Sequence, residues 1–210
     1  DTFGDLCLIR KGSRDMTLGS ENTSIETIVT TDEWVVKADA LRKILKLVLG
    51  TPPPGIDCDL SIKIEGETDR GDIFERRVSY LVSPGERVAS LMLIPKGVTL
   101  PRPAMLTIQP TTVGYGKEIT VGRGEKVDGK LTSKAYDRAY ALHLAQKGYI
   151  TFSPDILGDG ERIFSGKGAF DNQPFIDAYP EWSGTGKDLW DLHRAIDVMQ
   201  TFTEIDSSRI

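Results

Sequence analysis

Residues 103–109 read Pro-Ala-Met-Leu-Thr-Ile-Gln and residues 148–155 read Gly-Tyr-Ile-Thr-Phe-Ser-Pro-Asp, with a helical pattern at 133–147 between them. The apolar runs in these two stretches are short and continuous, which is typical of parallel strands covered on both faces. A strand, a helix and a second strand make a βαβ unit. Ligands of open α/β sheets bind beyond the carboxyl ends of the strands, so the loops after Gln109 and Ser153 are candidate sites.

Length and composition favour one globular domain with a small-molecule partner. The chain has 210 residues, of which 39% are hydrophobic and 27% charged, and no apolar run reaches the roughly 18–20 residues of a membrane helix. The net charge of −5 disfavours nucleic-acid binding, which depends on clustered Lys and Arg. We therefore expect neither a nucleic acid nor a membrane as a partner. Residues 1–30 are polar and aperiodic, so an N-terminal extension is expected there.

The two cysteines and the start of the chain bear on the compartment. Cys7 and Cys58 either form a disulfide or stay free, and free thiols are favoured because a domain of this size does not need the crosslink. The chain opens with Asp-Thr-Phe-Gly and shows neither the basic nor the apolar region of a signal peptide. A cytoplasmic location is favoured, although a processed chain would look the same.

The segments around the βαβ unit predict further helices and an antiparallel edge. An apolar stripe over residues 31–49 predicts a helix that packs on the sheet, and a second long helix is expected from about Asp188 to Thr203. Strands are predicted at residues 60–65, 74–82 and 87–94. Pro84-Gly85 between the last two predicts a hairpin turn. The expected fold class is α/β, with a mixed, mostly parallel sheet and flanking helices.

No cofactor or metal site is expected from the sequence. The loop at residues 110–132 is rich in glycine, but the stretch closest to a P-loop has Leu131 where the magnesium-binding hydroxyl belongs. His143 and His193 lie on different predicted helices, and neither has neighbours at metal-ligand spacing. We therefore predict no nucleotide, no other cofactor and no metal.

Two segments after the second strand of the unit each leave two interpretations open. Residues 155–162 read Asp-Ile-Leu-Gly-Asp-Gly-Glu-Arg. Asp155, Asp159 or Arg162 would shape a pocket floor in one interpretation; in the other, Asp155 caps backbone amides and Arg162 pairs with an acid. Residues 163–182 are irregular and aromatic, which fits either a lid over an apolar pocket or core packing.

The order of these motifs resembles the α/β-hydrolase superfamily, in particular its dienelactone hydrolase-like and acetyl xylan esterase-like branch. The resemblance is carried by residues 76–80, 88–95, 103–112, 139–149, 153–155, 190–201 and 204–210. In that family the last helix and acidic turn run into a strand and a Gly-x-Ser-x-Gly nucleophile elbow, followed by the acid and the histidine. No Gly-x-Ser-x-Gly occurs in this sequence. The resemblance therefore implies that all three triad residues lie beyond Ile210.

The resemblance implies that the chain is part of a serine ester hydrolase that acts on small carboxylic esters by acyl transfer. Residues 31–210 would be the N-terminal portion of its α/β-hydrolase domain. One oxyanion-hole N–H of the family comes from the loop after the third strand, here Gln109-Pro-Thr-Thr. Pro110 has no N–H, so Thr111 or Thr112 is the expected donor, and these are the predicted catalytic residues. The family often has histidine at the position of Gln109.

A second interpretation is a non-catalytic binding or assembly module on a truncated hydrolase scaffold, because fold alone does not specify function. In the family, the strand at residues 104–109 pairs with a strand that would follow Ile210. Its edge would be bare without that strand, and bare edges pair with other chains. We therefore expect a homo-oligomer or a complementing C-terminal fragment.

Overall fold

The computed structural model describes residues 30–111 and 114–210. The chain divides into two compact units, residues 1–48 and 49–210. The first unit contains nearly all of helix α1 (Thr31–Leu49), which confirms the predicted helix. Its start is a capping box, in which the Thr30 hydroxyl accepts from the Glu33 N–H and the Glu33 carboxylate accepts from the Thr30 N–H. Packing of α1 on the sheet stays a prediction, as do the domain limits.

The second unit is built on a mixed five-stranded sheet. Its strands are numbered with those of a small hairpin as β1 (Lys63–Asp69), β2 (Ile73–Ser83), β3 (Glu86–Pro95), β4 (Ala104–Leu106), β5 (Lys126–Val127), β6 (Lys130–Leu131) and β7 (Ile150–Pro154). The main sheet has the order β1-β2-β3-β7-β4. β4 pairs with β7 in parallel, and the other three pairings are antiparallel. A mixed sheet with flanking helices confirms the predicted fold class. The expectation of a mostly parallel sheet is wrong for the described strands, because the hairpin and its neighbours make three of the four pairings antiparallel.

The antiparallel edge confirms the hairpin and corrects the strand before it. β2 and β3 pair along their length around Pro84-Gly85, where Gly85 has a φ of 79°. The strand predicted at residues 60–65 instead runs from Lys63 to Asp69. Ser61 has a left-handed φ of 43°, which excludes it from a strand, and pairing with β2 extends β1 as far as Asp69.

The βαβ unit is present, with its helix divided in two. Between β4 and β7 lie α2 (Ser133–Arg138) and α3 (Tyr140–Gln146). The single predicted helix is wrong at Ala139, whose ψ of 37° interrupts the helical backbone. Thr132 caps α2, accepting from the N–H of Ala135 at 3.2 Å. β4 is shorter than the predicted strand, because its pairing with β7 ends at Leu106.

Helices cover both faces of the sheet. The remaining helices are α4 (Gln173–Ala178) and α5 (Gly184–Met199). α5 starts earlier than predicted because the Ser183 hydroxyl caps it, accepting from the Gly186 N–H at 3.0 Å. The face toward α5 buries Val78, Tyr80, Met92, Phe152, Ala195, Val198 and Met199. The opposite face, toward α3, buries Ile73, Leu91, Leu93, Val121, Ala141 and Ala145.

The segment after α5 lies beside β4. Arg102 donates its N–H to Glu204 and accepts from the Asp206 N–H, and the Ala104 N–H donates to Arg209. These contacts cover the start of β4. The expected homo-oligomer or complementing fragment stays a prediction. No helix among the described residues is both long enough and apolar enough to cross a membrane.

Candidate functional site

The carboxyl ends of β4 and β7 lie next to each other, as the βαβ prediction requires. Thr107 and Ser153 follow the last paired positions, and their buried hydroxyls are 2.6 Å apart. Thr120, from the loop after β4, donates its hydroxyl to Ser153 at 3.0 Å. The loops that leave the two strands therefore start side by side, and polar contacts hold them together.

Thr111, one of the two predicted oxyanion donors, lies just beyond this edge of the sheet. It is exposed, and no hydrogen bond among the described residues uses its N–H. Thr112, the other predicted donor, lies outside the described residues. The catalytic role of both stays a prediction.

Gln109 lies buried directly before this loop. Its Nε2 donates to Oδ2 of Asp159 at 3.3 Å, and its buried Oε1 has no hydrogen-bond partner in the part of the chain that the structure describes. Asp159 is fully buried, and its Oδ1 accepts from the Gly160 N–H at 2.8 Å. Asp159 therefore fixes the glutamine at the base of the loop, a role that the sequence did not indicate.

Asp155 is the centre of a second buried contact between the two loops. Its carboxylate accepts from the backbone N–H of Lys117 at 2.8 Å, from Nζ of Lys117 at 2.6 Å and from the N–H of Glu161 at 3.1 Å. The side chains of Lys117 and Asp155 are only 1% and 0% exposed. Asp155 thus caps backbone amides, as one interpretation predicted, and Lys117 neutralises its charge in the interior.

Two glycines allow this close approach. Gly116 and Gly160 have positive φ values of 51° and 58°. A Cβ on Gly160 would lie 2.2 Å from Oδ1 of Asp155, and a Cβ on Gly116 would lie 2.5 Å from the Cα of Gly160. The backbones of the two loops therefore touch where only glycine fits.

Glu161 extends the buried pair to the surface. Its carboxylate accepts two hydrogen bonds from Arg77, at 2.8 and 2.6 Å, and one from Nζ of Lys117 at 2.5 Å. The Arg77 hydrogen bonds are the main reason that the pKa of Glu161 is lowered to about 2. Glu161 is consequently ionised throughout the neutral range.

Arg162 belongs to a separate cluster of buried charges. Its Nη2 lies 2.6 Å from Glu86 and 2.7 Å from Asp191, and Lys187 contacts the same two acids at 2.8 and 2.5 Å. Burial raises the pKa of the Asp191 carboxyl. Two cations and two anions compensate one another, so Arg162 pairs with acids, as the structural interpretation predicted.

The aromatic segment after this loop supplies core packing. Phe175 and Trp182 are buried with Leu157, and the two aromatic rings are 5.5 Å apart between centroids. The packing interpretation is therefore correct for these two aromatic residues, because neither is free to line a pocket.

The histidines and the glycine-rich loop lie elsewhere. His143 stacks on Tyr136 with 4.4 Å between ring centroids, and His193 is exposed on α5. The stretch closest to a P-loop forms the β5–β6 hairpin, so it is paired strand and not the glycine-rich loop in which a phosphate site binds its ligand. In residues 30–111 and 114–210, no three His, Cys, Asp or Glu side chains are grouped as metal ligands.

An open cleft of about 540 Å³ lies between the first three strands and the loop after β4. Its lining is Gly66, Thr68, Glu75, Arg77, Leu91, Gly114, Tyr115, Glu118 and Arg123. The charged residues among these pair with one another or with neighbours, as in the ion pairs of Arg123 with Glu75 and Glu118. Thr111 is not part of the lining, so we do not assign this cleft as the site of an ester.

Solved structures with a similar fold are esterases by name. A protein from Bacteroides fragilis, provisionally assigned as an acetyl xylan esterase, has 22% identity and a TM-score of 0.65, and the match covers 85% of this chain and 46% of that one. A glucuronoyl esterase from Solibacter usitatus has 14% identity and a TM-score of 0.57, with coverage of 87% and 52%.

The chain spans about half the length of these solved structures. At the level of sequence, neither a family model nor a curated protein matches it. At such low identity the likeness is one of fold.

Proposed function

Because the chain has an α/β-hydrolase fold, we propose that it is part of a serine ester hydrolase that acts on small carboxylic esters. Its contribution is the oxyanion-side loop and one wall of the pocket, and the catalytic triad lies outside residues 1–210. The observation that carries this proposal is Thr111 in the loop after β4, an exposed residue whose N–H makes no hydrogen bond to the described residues. The names of the two similar esterases support the reaction class.

The chemistry proposed is acyl transfer through a serine ester. The serine oxygen attacks the ester carbonyl carbon, its proton passes to the histidine, and the carbonyl oxygen becomes an oxyanion. The N–H of Thr111 or Thr112 and a second N–H next to the nucleophile stabilise that charge. The alcohol leaves with the proton from the histidine, and water then hydrolyses the acyl-serine. A single such donor contributes about 10²–10³-fold in kcat.

Proline substitutions in the protein expressed from its complete reading frame test the loop directly. We expect that either Thr111→Pro or Thr112→Pro, which removes one N–H, lowers kcat for p-nitrophenyl acetate by about 10²–10³-fold. Thr111→Ala is the control, because it keeps the N–H and removes only the hydroxyl, and it should retain near-normal kcat. Normal kcat in both proline variants would exclude this loop from the oxyanion hole.

The coding sequence gives a second check on the proposal. The family's elbow follows the strand after the acidic turn, so a Gly-x-Ser-x-Gly or a close variant is expected within about 10 residues of Ile210. Its absence there, together with no hydrolysis of p-nitrophenyl acetate, would favour the non-catalytic module instead.

A further inference from the structure

Both flanks of the oxyanion-side loop are held by one other loop. On one flank, the Gln109 side chain donates to Asp159 at 3.3 Å. On the other flank, the backbone and side chain of Lys117 donate to Asp155 at 2.8 and 2.6 Å. The two acids lie four positions apart in the loop that follows β7. Thr111 lies between these two attachments.

Both attachments are buried and closely packed. The carboxylates of Asp155 and Asp159 are buried, and Gly116 touches Gly160 with no space for a Cβ on either. The orientation of Gln109 is also fixed, because a carboxylate only accepts hydrogen bonds and so requires the Nε2 end of the amide. The Oε1 end then faces away from Asp159, and no described residue hydrogen-bonds to it. The loop after β7 therefore contacts both Gln109 and Lys117 through buried carboxylates.

We propose that Asp155 and Asp159 are positioning residues, which set the place of the Thr111 N–H through Lys117 and Gln109. This inference rests on the proposed ester hydrolase function. An oxyanion donor acts only within about 2.7–3.1 Å of the oxygen it stabilises. A displacement of about 1 Å can reduce the rate about 10²-fold, so two anchors on either side of the donor have a catalytic consequence.

The chain contains a matched control for the Gln109–Asp159 contact. Gln173 donates its Nε2 to Asp177 at 2.7 Å in the same chemical arrangement, but on the surface. Gln109→Met and Gln173→Met thus remove the same amide–carboxylate hydrogen bond, the first at a buried site and the second on an exposed helix. Gln109→His is the conservative variant, since a ring N–H can still donate to Asp159.

Hydrogen exchange of the peptide covering residues 109–117, measured on the protein from the complete reading frame, separates the two variants. We expect Gln109→Met to speed exchange in this peptide at least about tenfold, whereas Gln173→Met leaves it unchanged and Gln109→His restores protection. Unchanged exchange in Gln109→Met would overturn the inference. Should that variant fail to fold, Asp159→Leu, which removes the acceptor of the Gln109 hydrogen bond, decides the question in the same measurement.

Kinetics provide the readout that a purely structural role would not change. Gln109→Met should lower kcat for p-nitrophenyl acetate at least about tenfold with KM altered less than about threefold, because the donor is needed in the transition state. Faster exchange with normal kcat would show a structural anchor without a positioning role. If the unsubstituted protein hydrolyses no ester, the proposed function fails, and hydrogen exchange still decides whether the support holds the loop.

Discussion

Replacement of Lys117 by methionine removes the one cation that forms an ion pair with the Asp155 carboxylate among the described residues. The lysine side chain is 1% exposed, and its Nζ lies 2.6 Å from Asp155 and 2.5 Å from Glu161. Methionine fills a similar volume without the charge. Asp155 would remain in the interior as an uncompensated carboxylate.

The expected loss of unfolding free energy depends on the hydrogen bonds that Asp155 keeps in the Lys117→Met variant. Removal of one partner from a buried ion pair costs about 3–5 kcal/mol, because the other charge stays buried. Asp155 still accepts from two backbone N–H groups, those of Lys117 and Glu161, so we expect the lower end, about 3 kcal/mol. That is a large part of the roughly 5–15 kcal/mol by which domains are stable.

Urea unfolding followed by tryptophan fluorescence measures this change in the free energy of unfolding. Lys167→Met is the control, since Lys167 and Asp171 form a pair that is 39% and 40% exposed, and its loss should cost only about 0–1 kcal/mol. Equal effects of the two substitutions would refute the view that the buried lysine stabilises the two loops.

Two further predictions test the loop contact and its charges. In thermal unfolding, Gly160→Ala should destabilise the protein by clearly more than Gly166→Ala. Both glycines have positive φ, but only a Cβ at Gly160 would clash with Asp155. At Gly166 we expect a loss of about 1–2 kcal/mol from backbone strain alone. Equal losses would contradict the close contact. The Arg77 hydrogen bonds lower the pKa of Glu161 from its ordinary value of 4.5 to about 2 in the folded protein. The resulting stability is present above pH 4.5 and is lost as the pH falls toward 2. The free energy of unfolding, measured with urea, should therefore fall less between pH 5 and pH 3 in Glu161→Gln than in the unsubstituted protein. An equal fall in both proteins would contradict the ion pair.

The parts of the fold that local sequence determines were predictable. Pro84-Gly85 between two strand patterns specifies a hairpin wherever it occurs, and the stripe over residues 31–49 has the period of a helix. β1 was placed too early because its limits depend on pairing with β2, which local alternation does not contain. The helix break at Ala139 has no local signal either, since alanine is the best helix former.

The site was predictable only in part. Proline at position 110 has no N–H, so the sequence leaves Thr111 and Thr112 as the candidate donors, and their role stays a prediction. The support beneath the loop was not predicted, because Lys117 and Asp155 are separated by 38 positions and lysine is almost never fully buried. Gly116 preceding a lysine, together with Gly160 beyond Asp155, was the available signal of a close backbone contact.

Labelling with a fluorophosphonate probe tests the central claim most directly, because the probe reacts with the activated serine of a serine hydrolase. The protein expressed from its complete reading frame would be labelled, digested and mapped by mass spectrometry, with hydrolysis of p-nitrophenyl acetate measured in parallel. We predict one labelled serine beyond residue 210, in a Gly-x-Ser-x-Gly elbow, with hydrolysis lost on labelling. No labelled serine, or a labelled serine within residues 1–210, would contradict the assignment of this chain as the oxyanion side of an ester hydrolase.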